Sequence, residues 1–599
     1  DLSIGGRSGL FDDGELGYFV AGTYSDTYSR VADETERKWR RSAFDSLTAD
    51  LATPNVDYLF QRGTRNVSWG TIANLAVKPS PNHKVTLRTT ANLNTDDEGR
   101  TYTGENGEDI GGMVRNERSR YVQRLMLWGQ LSGEHKLFFN SKFDWRATLA
   151  RADRDEPFLR ETIYLQDNDG TYRLLDFTES GRYFWSELVD DDMSAQFDWR
   201  FPFQLFSNEA AIKFGGAYRD RSRDFGARRL NWLFRGNTIE DLDGSLGSGT
   251  IVAGAPDRNQ FAIDEVVEPG DVYDATDERM AGYAMVELPV TDKFKAIFGA
   301  RIETYDLALN SRTRFGIDST VASVNETDIV PAVNLVYSLR SDLQIRAAAS
   351  RTLDRPEFRE LAPFQFTEAT SLRQLKGNPD LVPAEIVGGD LRIDWYPGIG
   401  EMISVGAFYK KLTDPIEQVF VAAASSAYSF QNAEEASLIG LELDVQIRAD
   451  RFARALENFS LQGNFSWIDS EVTVKKDGIF QPTNLKRPLE GQAPYVLNMG
   501  INYTGLTGIQ AGVFFNRFGE RVTAAGGSGL PDIYEQPRNA LDATLSFPLP
   551  RAQGVRVKVK GTNLLDADYA FEQSASGITR VQRTYSVGRT FSVGFSWDF

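Results

Sequence analysis

Only two histidines occur in the 599 residues, His83 in "SPNHK" and His135 in "SGEHK". Paired imidazoles can hold a metal, but a zinc site needs three or four ligands. The Ser, Gly, Pro and Asn around them are turn formers, so both read as solvated turn residues. Two acidic runs, "QDNDG" (166–170) and "EDLDG" (240–244), gather carboxylates around a glycine, as calcium loops do. Neither has the full ligand spacing, and both read as solvated loops. "RPEFRELAPF" mixes cations with aromatics in a polar stretch, which makes Arg355, Phe358 and Arg359 candidate ligand contacts. The competing reading is a rim structure: Pro356 and Pro363 fix the backbone, and the arginines pair with interior carboxylates. There is no cysteine, and no nucleophile elbow, P-loop or dinucleotide fingerprint, so no enzyme is expected and no cofactor is called for. A net charge of -18 argues against a nucleic-acid partner, which wants a basic face.

Whatever these residues do, strands must position them. In the closing "RTFSVGFSWDF", Phe591, Val593, Phe595, Trp597 and Phe599 alternate with Ser592, Gly594, Ser596 and Asp598. A period of two is a strand with two unlike faces. "FKAIFGARIE" sets Phe294, Ala296, Phe298, Ala300 and Ile302 against Lys295, Arg301 and Glu303, and "VRVKVK" sets Val555, Val557 and Val559 against Arg556, Lys558 and Lys560. About 20 such segments recur, each roughly 10 to 16 residues long, beyond the usual soluble strand of about 5 to 6. Their connections alternate between short turns ("VKPSPNHKV", "LSGEHKL", "LPVTDKFK", "FPLPRAQGV") and long polar stretches (95–119, 151–190, 220–276, 305–327, 352–384). Strict short/long alternation puts all turns at one end of a sheet. The fold expected is all-β: a large antiparallel transmembrane β-barrel of about 20–22 strands, with short periplasmic turns and long extracellular loops. In lipid every backbone group must pair within the protein, so the sheet closes and side chains alternate between lipid and lumen.

On this reading Phe294, Phe298, Leu541, Leu545, Val557, Phe591 and Phe595 face lipid. Arg301, Glu303, Arg556, Lys558 and Lys560 face the lumen, with Ser592 and Thr544. Arg589 has lipid-face parity and fits only at the outer rim. Residues 220–276 form the longest extracellular region, and 158–177 extends above the membrane without adding a hairpin to the wall.

"RTLDRPEFRELAPFQF" followed by "GNPDLVPAEIVGGDLRIDWYP", then "NAEEASLIGLELDVQ", "LEGQAPYVLNMGINY", "VKGTNLLDADY" and the terminal aromatic strand, resembles the barrel region of TonB-dependent outer-membrane receptors. The resemblance covers most of the chain from about residue 15. It implies a receptor in the outer membrane of a Gram-negative bacterium that imports a scarce nutrient (a metal chelate, an oligosaccharide or a peptide) by TonB-coupled active transport. A passive porin-like pore and a surface adhesin barrel are the alternatives. It also implies that the terminal strand, with Phe595, Trp597 and Phe599, is read by the barrel assembly machinery. The family has a plug domain that contacts TonB; nothing in residues 1–599 matches it, so the TonB complex is expected to act through a plug outside them. A surface lipoprotein is a further expected partner. Residues 1–6 read as the stub of an earlier strand, and the terminal strand 585–599 is expected not to pair with strand 15–29.

Overall fold

The computed structural model describes residues 1–598 except 11–13, 45–52, 176–179, 206, 235–260, 317–318, 368–373, 422–426 and 477–478. Among the described residues, twenty-one long strands form one antiparallel wall in chain order. They begin with β1 (Leu2–Leu10), β2 (Gly14–Lys38), β3 (Val56–Ser80), β4 (His83–Asn106), β5 (Gly112–Lys136), β6 (Lys142–Gln166), β7 (Arg182–Leu205) and β8 (Asn208–Phe234). Next come β9 (Val272–Pro289), β10 (Phe294–Arg312), β11 (Ser319–Arg340), β12 (Leu343–Asp354), β13 (Ala384–Trp395), β14 (Met402–Thr413) and β15 (Glu435–Arg448). The last are β16 (Phe459–Thr473), β17 (Tyr495–Thr504), β18 (Gln510–Phe518), β19 (Asn539–Pro548), β20 (Val555–Thr562) and β21 (Thr590–Trp597).

The register carries one apolar face around the wall. Phe595 lies opposite Val557, which lies opposite Phe547, and Val593, Val559 and Leu545 form the next row. Across the barrel, Ile212, Val286, Phe298 and Val333 are joined in the same way. Val557 is buried although it shares this face, because two phenylalanines flank it.

From β2 to β11 the strands run 18 to 27 residues, longer than the sequence suggests, whereas β12 to β21 run 8 to 15. The stretch 95–119, read as a loop, is mostly strand: β4 runs to Asn106 and β5 starts at Gly112. Beyond lipid the sheet continues because its inward face finds an apolar core there. "LSGEHKL" is not a turn either. His135 lies within β5, and the chain reverses at 137–141, where Phe139 and Asn140 take a φ of 55°. β1 likewise extends past the expected stub, pairing from Leu2↔Gly22 to Leu10↔Gly14.

β1 pairs with β2 and β21 with β20; among the described residues they do not pair with each other, and β21 does not pair with β2. Both run in the same direction, so an ascending strand between them would be antiparallel to each. Above this seam the hairpin Tyr569–Ala575/Ile578–Tyr585 reaches β2 through Thr35↔Thr584 and Glu36↔Arg583. The Arg583 Nε–H donates to Glu34 Oε1 at 2.8 Å and Trp39 Nε1–H to the Val581 carbonyl at 3.0 Å. The segment 158–177 adds no wall hairpin: β6 pairs directly with β7, and the short strand Tyr172–Leu174 folds back on β6.

Candidate ligand path through the barrel

Along β3–β6 and β8–β11 the apolar side changes faces. In β10, Phe294, Ala296, Phe298, Ala300 and Ile302 point outward; on that face Thr304, Asp306 and Asn310 follow, all exposed. On the inward face Arg301 and Glu303 are followed by Tyr305, Leu307 and Leu309, all buried. Neighbouring strands change at the same level. β8 buries Phe225 and Ala227 inward, β9 Tyr273 and Ala275, β11 Ala322 and Val324, and these make one core with β10. A second inward core unites Val56, Tyr58, Phe60, Tyr102, Val114 and Ile163 on β3–β6. The level of the change marks where lipid gives way to water: an apolar face is cheap outside in hydrocarbon, and must turn inside once water surrounds the wall.

The "RPEFRELAPF" segment supplies the lid of the first core. Phe358, 1 % exposed, and Leu361 come from a one-turn helix whose Glu357 N–H donates to Glu360 Oε2 at 2.8 Å. Leu375, Leu381 and Phe430 join them. A four-stranded sheet (Gln365–Thr367, Gln374–Lys376, Ala427–Asn432, Ile416–Val421) ties the contributing segments together. Gly377 passes so close to the Ala362 carbonyl oxygen that a Cβ there would lie 2.0 Å from it.

Of the three candidate contacts in this segment, Arg355 and Phe358 face inward into protein. Arg355 Nη1 lies 2.9 Å from Glu303 Oε2, with its guanidinium over the Tyr305 ring at 4.7 Å. Phe358 lies beneath Arg221 and Arg223, 4.9 and 5.2 Å from its ring centre, so it anchors the segment and does not present itself to a ligand. Arg359 is exposed. Arg301 Nε lies 2.5 Å from Glu303 Oε1, so Glu303 holds its strand neighbour and the lid at once.

Beneath the second core, charges form a ring segment. Arg62, Arg100, Arg118, Glu161 and Arg182 are opposite one another on successive strands β3 to β7. Like charges directly opposite destabilise a sheet; the carboxylates offset this. Glu161 lies 2.7 Å from Arg182 and 3.4 Å from Arg100, and Glu98 lies 2.6 Å from Arg118. Burial alone would raise the Glu161 carboxyl; Arg182, Arg118 and Arg100 outweigh it and bring it down to about 2.

Lower in the lumen, Arg556 donates to the Gly508 carbonyl at 2.8 Å and to Ser546 Oγ at 3.2 Å, fastening the turn at 505–509. Lys558 and Lys560 are exposed, opposite Gly594 and Ser592. At the outer rim, Arg589 precedes β21 and lies 3.9 Å from Asp566. The histidines are not separate turn residues but cross-strand partners, half-buried, with Nδ1 atoms 3.0 Å apart; Trp145 Nε1–H donates to His135 Nε2 at 3.0 Å. They share the outward face with Leu87 and Leu131, and no group of three or more metal-ligating side chains forms among the described residues. In "QDNDG", Arg173 Nε lies 2.5 Å from Asp167 and the Thr171 N–H caps Asp169, so the acids are neutralised locally. "EDLDG" and Phe599 lie outside the described residues.

Residues 8–564 match the family described as TonB dependent receptor-like, beta-barrel. The chain belongs to this family. Its members' outer-membrane location in Gram-negative bacteria applies here, and the family and the structural neighbours are receptors and transporters. Among curated proteins, the iron-regulated outer membrane virulence protein of Vibrio cholerae serotype O1 is 21 % identical over 304 residues, 49 % of this chain and 41 % of the relative. The match thus spans less than half the length of that relative. Among solved structures, the ferric yersiniabactin uptake receptor FyuA of Yersinia pestis aligns with TM-score 0.54 at 12 % identity, covering 96 % of this chain and 80 % of that one. FpvA of P. aeruginosa bound to a heterologous ferric pyoverdine aligns with TM-score 0.56 at 13 % identity, covering 100 % and 71 %. At such identities the likeness is one of fold.

Proposed function

We propose that this barrel is the outer-membrane part of an energy-coupled importer for a scarce nutrient too bulky for diffusion through a pore. The candidate cargoes are a metal chelate, an oligosaccharide or a peptide. The observation that carries the reading is the inward packing of the extracellular half. Phe358, Leu361 and Phe430 bury against Tyr305, Leu307 and Leu309 inside the wall, and Arg355 locks onto Glu303. A passive pore gains nothing from apolar cores inside its own mouth; a receptor that captures cargo and then admits it does. Energy enters through the TonB complex, assigned to a plug domain and not to wall strands. The structural neighbours include an uptake receptor for ferric yersiniabactin and one bound to a ferric pyoverdine, which favours a metal chelate among the cargoes.

Uptake assays test this. A strain dependent on the full receptor is offered a panel of ferric chelates, oligosaccharides and peptides as sole iron, carbon or nitrogen source. Growth on at least one, abolished by deleting TonB or collapsing the proton-motive force, is the expected result. Growth unaffected by either treatment, with a large steady single-channel conductance from the full protein, would establish the pore instead.

A further inference from the structure

The outward wall of β15 to β18 is not flat. Val445, Gly463, Met499 and Phe515 lie opposite one another on the apolar face, and a hollow of about 500 Å³ opens over this row. Every outward side chain lining it is apolar, Val513 among them. Its floor is Gly463, where a side chain is missing between Val445 and Met499. Arg517 stands at the extracellular end of the hollow, opposite Leu497 and on the parity of Val513 and Phe515. A cation on the lipid face is costly at mid-bilayer and tolerated only near the interface. Trp467 and Tyr495, paired one row higher, mark that interface.

Elsewhere on the outward face, arginines at this boundary meet a carboxylate: Arg65 meets Asp26 at 2.8 Å, Arg151 meets Asp153 at 3.0 Å and Arg351 meets Glu385 at 2.9 Å. Arg517 has only neutral partners among the described residues. Its Nε–H donates to Tyr495 Oη at 2.9 Å and its Nη1–H to Asn539 Oδ1 at 2.6 Å, while Nη2 donates to none of them.

We propose that the hollow and Arg517 together seat one lipid of the outer leaflet, with an acyl chain in the hollow and an anionic phosphate head group on the guanidinium. A chain lying in a hollow makes more contacts than one against a flat wall. A guanidinium presents its N–H groups as a planar fork that matches phosphate oxygens. Tyr495 and Asn539 hold this fork by one edge and leave the Nη2 edge free. Glycine weakens a strand interior and often marks the close approach of another molecule. Packing offers a competing reason for Gly463, since a Cβ there would lie 3.1 Å from the Asn498 carbonyl oxygen. That reason accounts for the glycine but not for a cation left without a counter-charge beside an apolar hollow.

The inference concerns the outside of the wall and does not rest on the import reading. Purified full-length receptor in detergent is titrated with dimyristoyl phosphatidic acid and with dimyristoylglycerol, which has the same chains and no phosphate. Native mass spectrometry reads the first adduct. The phosphate lipid is expected to bind about fivefold tighter, the size of one arginine acting on an anionic head group. Arg517→Gln should remove that preference. Val513→Trp fills the hollow and should weaken both lipids, while Arg151→Gln, a paired arginine on the same face, should change neither. Heat-modifiable electrophoretic mobility checks that each variant is folded. Equal affinity for the two lipids, a preference that persists in Arg517→Gln, or binding unmoved by Val513→Trp would overturn the proposal. So would displacement of the lipid by an equal concentration of inorganic phosphate, which would mark a site for the free ion. A receptor dimer that Val513→Trp dissolves would give the hollow to a second copy instead.

Discussion

The lower and upper halves of the same strands obey opposite rules. In the membrane band the apolar face points out, to lipid, and the inward face carries ions and amides, with Ile297 among the exceptions. Above it the outward face carries Thr304, Asp306 and Asn310, and the apolar residues turn inward to Tyr305, Leu307 and Leu309. Within one strand the chain therefore passes from an inside-out protein to an ordinary water-soluble one. Side-chain direction does not change, since a strand alternates throughout; what changes is which parity is apolar. The lower half is held by lipid and by a continuous hydrogen-bonded wall from β1 to β21. The upper half has a true core, and buried ions that must be paired to be tolerated.

The largest effect should come from removing a buried charge in the upper half. Glu161→Gln leaves Arg100 and Arg182 without their shared partner and removes the charge that offsets Arg118, and should cost about 3–5 kcal/mol. The folded carboxyl sits at about 2 against an ordinary 4.5. Its stabilisation is therefore complete above about pH 4.5 and is lost as the pH falls from there toward 2. Urea unfolding in liposomes at pH 7 and pH 3 should show an acid loss in the native protein that is smaller in Glu161→Gln. An unchanged urea midpoint would mean that the arginine row does not depend on this carboxylate.

Next in size is the parity test inside the lumen. Leu309→Ala, in the upper core, should cost about 2–5 kcal/mol. Ile297→Ala, inward but lower on the same strand and half-buried, should cost below about 1.5 kcal/mol. Equal losses would remove the distinction between the halves. Outside, Phe298→Lys should cost about 2–4 kcal/mol near mid-bilayer, against about 0–1 for Thr304→Lys above the lipid. Ser592→Lys and Thr544→Lys, facing the lumen, should be mild, as judged by folding yield into vesicles. The smallest effect concerns sidedness: protease added to intact cells should cut within 220–276 and spare 82–84, with cleavage mapped by mass spectrometry.

The wall was legible in the sequence because each lipid-facing row, such as Phe294 to Ile302, is a continuous period-two signal. The upper half was not, since an exposed outward face and an inward core of scattered Tyr, Leu and Ala look like polar loop when partners are unknown. The turn at 137–141 was hidden behind two phenylalanines, while "SGEHK" looked like a turn until His83 was found opposite His135. "RPEFRELAPF" stood out by composition. That Arg355 meets Glu303 and Phe358 meets Arg221 is a matter of tertiary placement, with partners 52 and 137 residues away in the chain. Arg517 carried one faint signal, a cation on the apolar parity of "QAGVFFNRF", but its neutral partners Tyr495 and Asn539 each lie 22 residues away and become visible only with the register known.

The change of faces along β10 can be measured directly, because the chain has no cysteine and single cysteines can be placed at will. Spin labels at 298, 302, 306 and 310 on the outward face, and at 297, 305, 307 and 309 on the inward face, are read in proteoliposomes for collision with oxygen and with a water-soluble nickel chelate. Labels at 298 and 302 should meet oxygen, those at 306 and 310 the nickel chelate, and those at 305, 307 and 309 neither, with immobilised spectra; the label at 297 should meet the chelate. Oxygen exposure continuing through 306 and 310, or mobile, chelate-accessible labels at 305, 307 and 309, would contradict the two-rule strand.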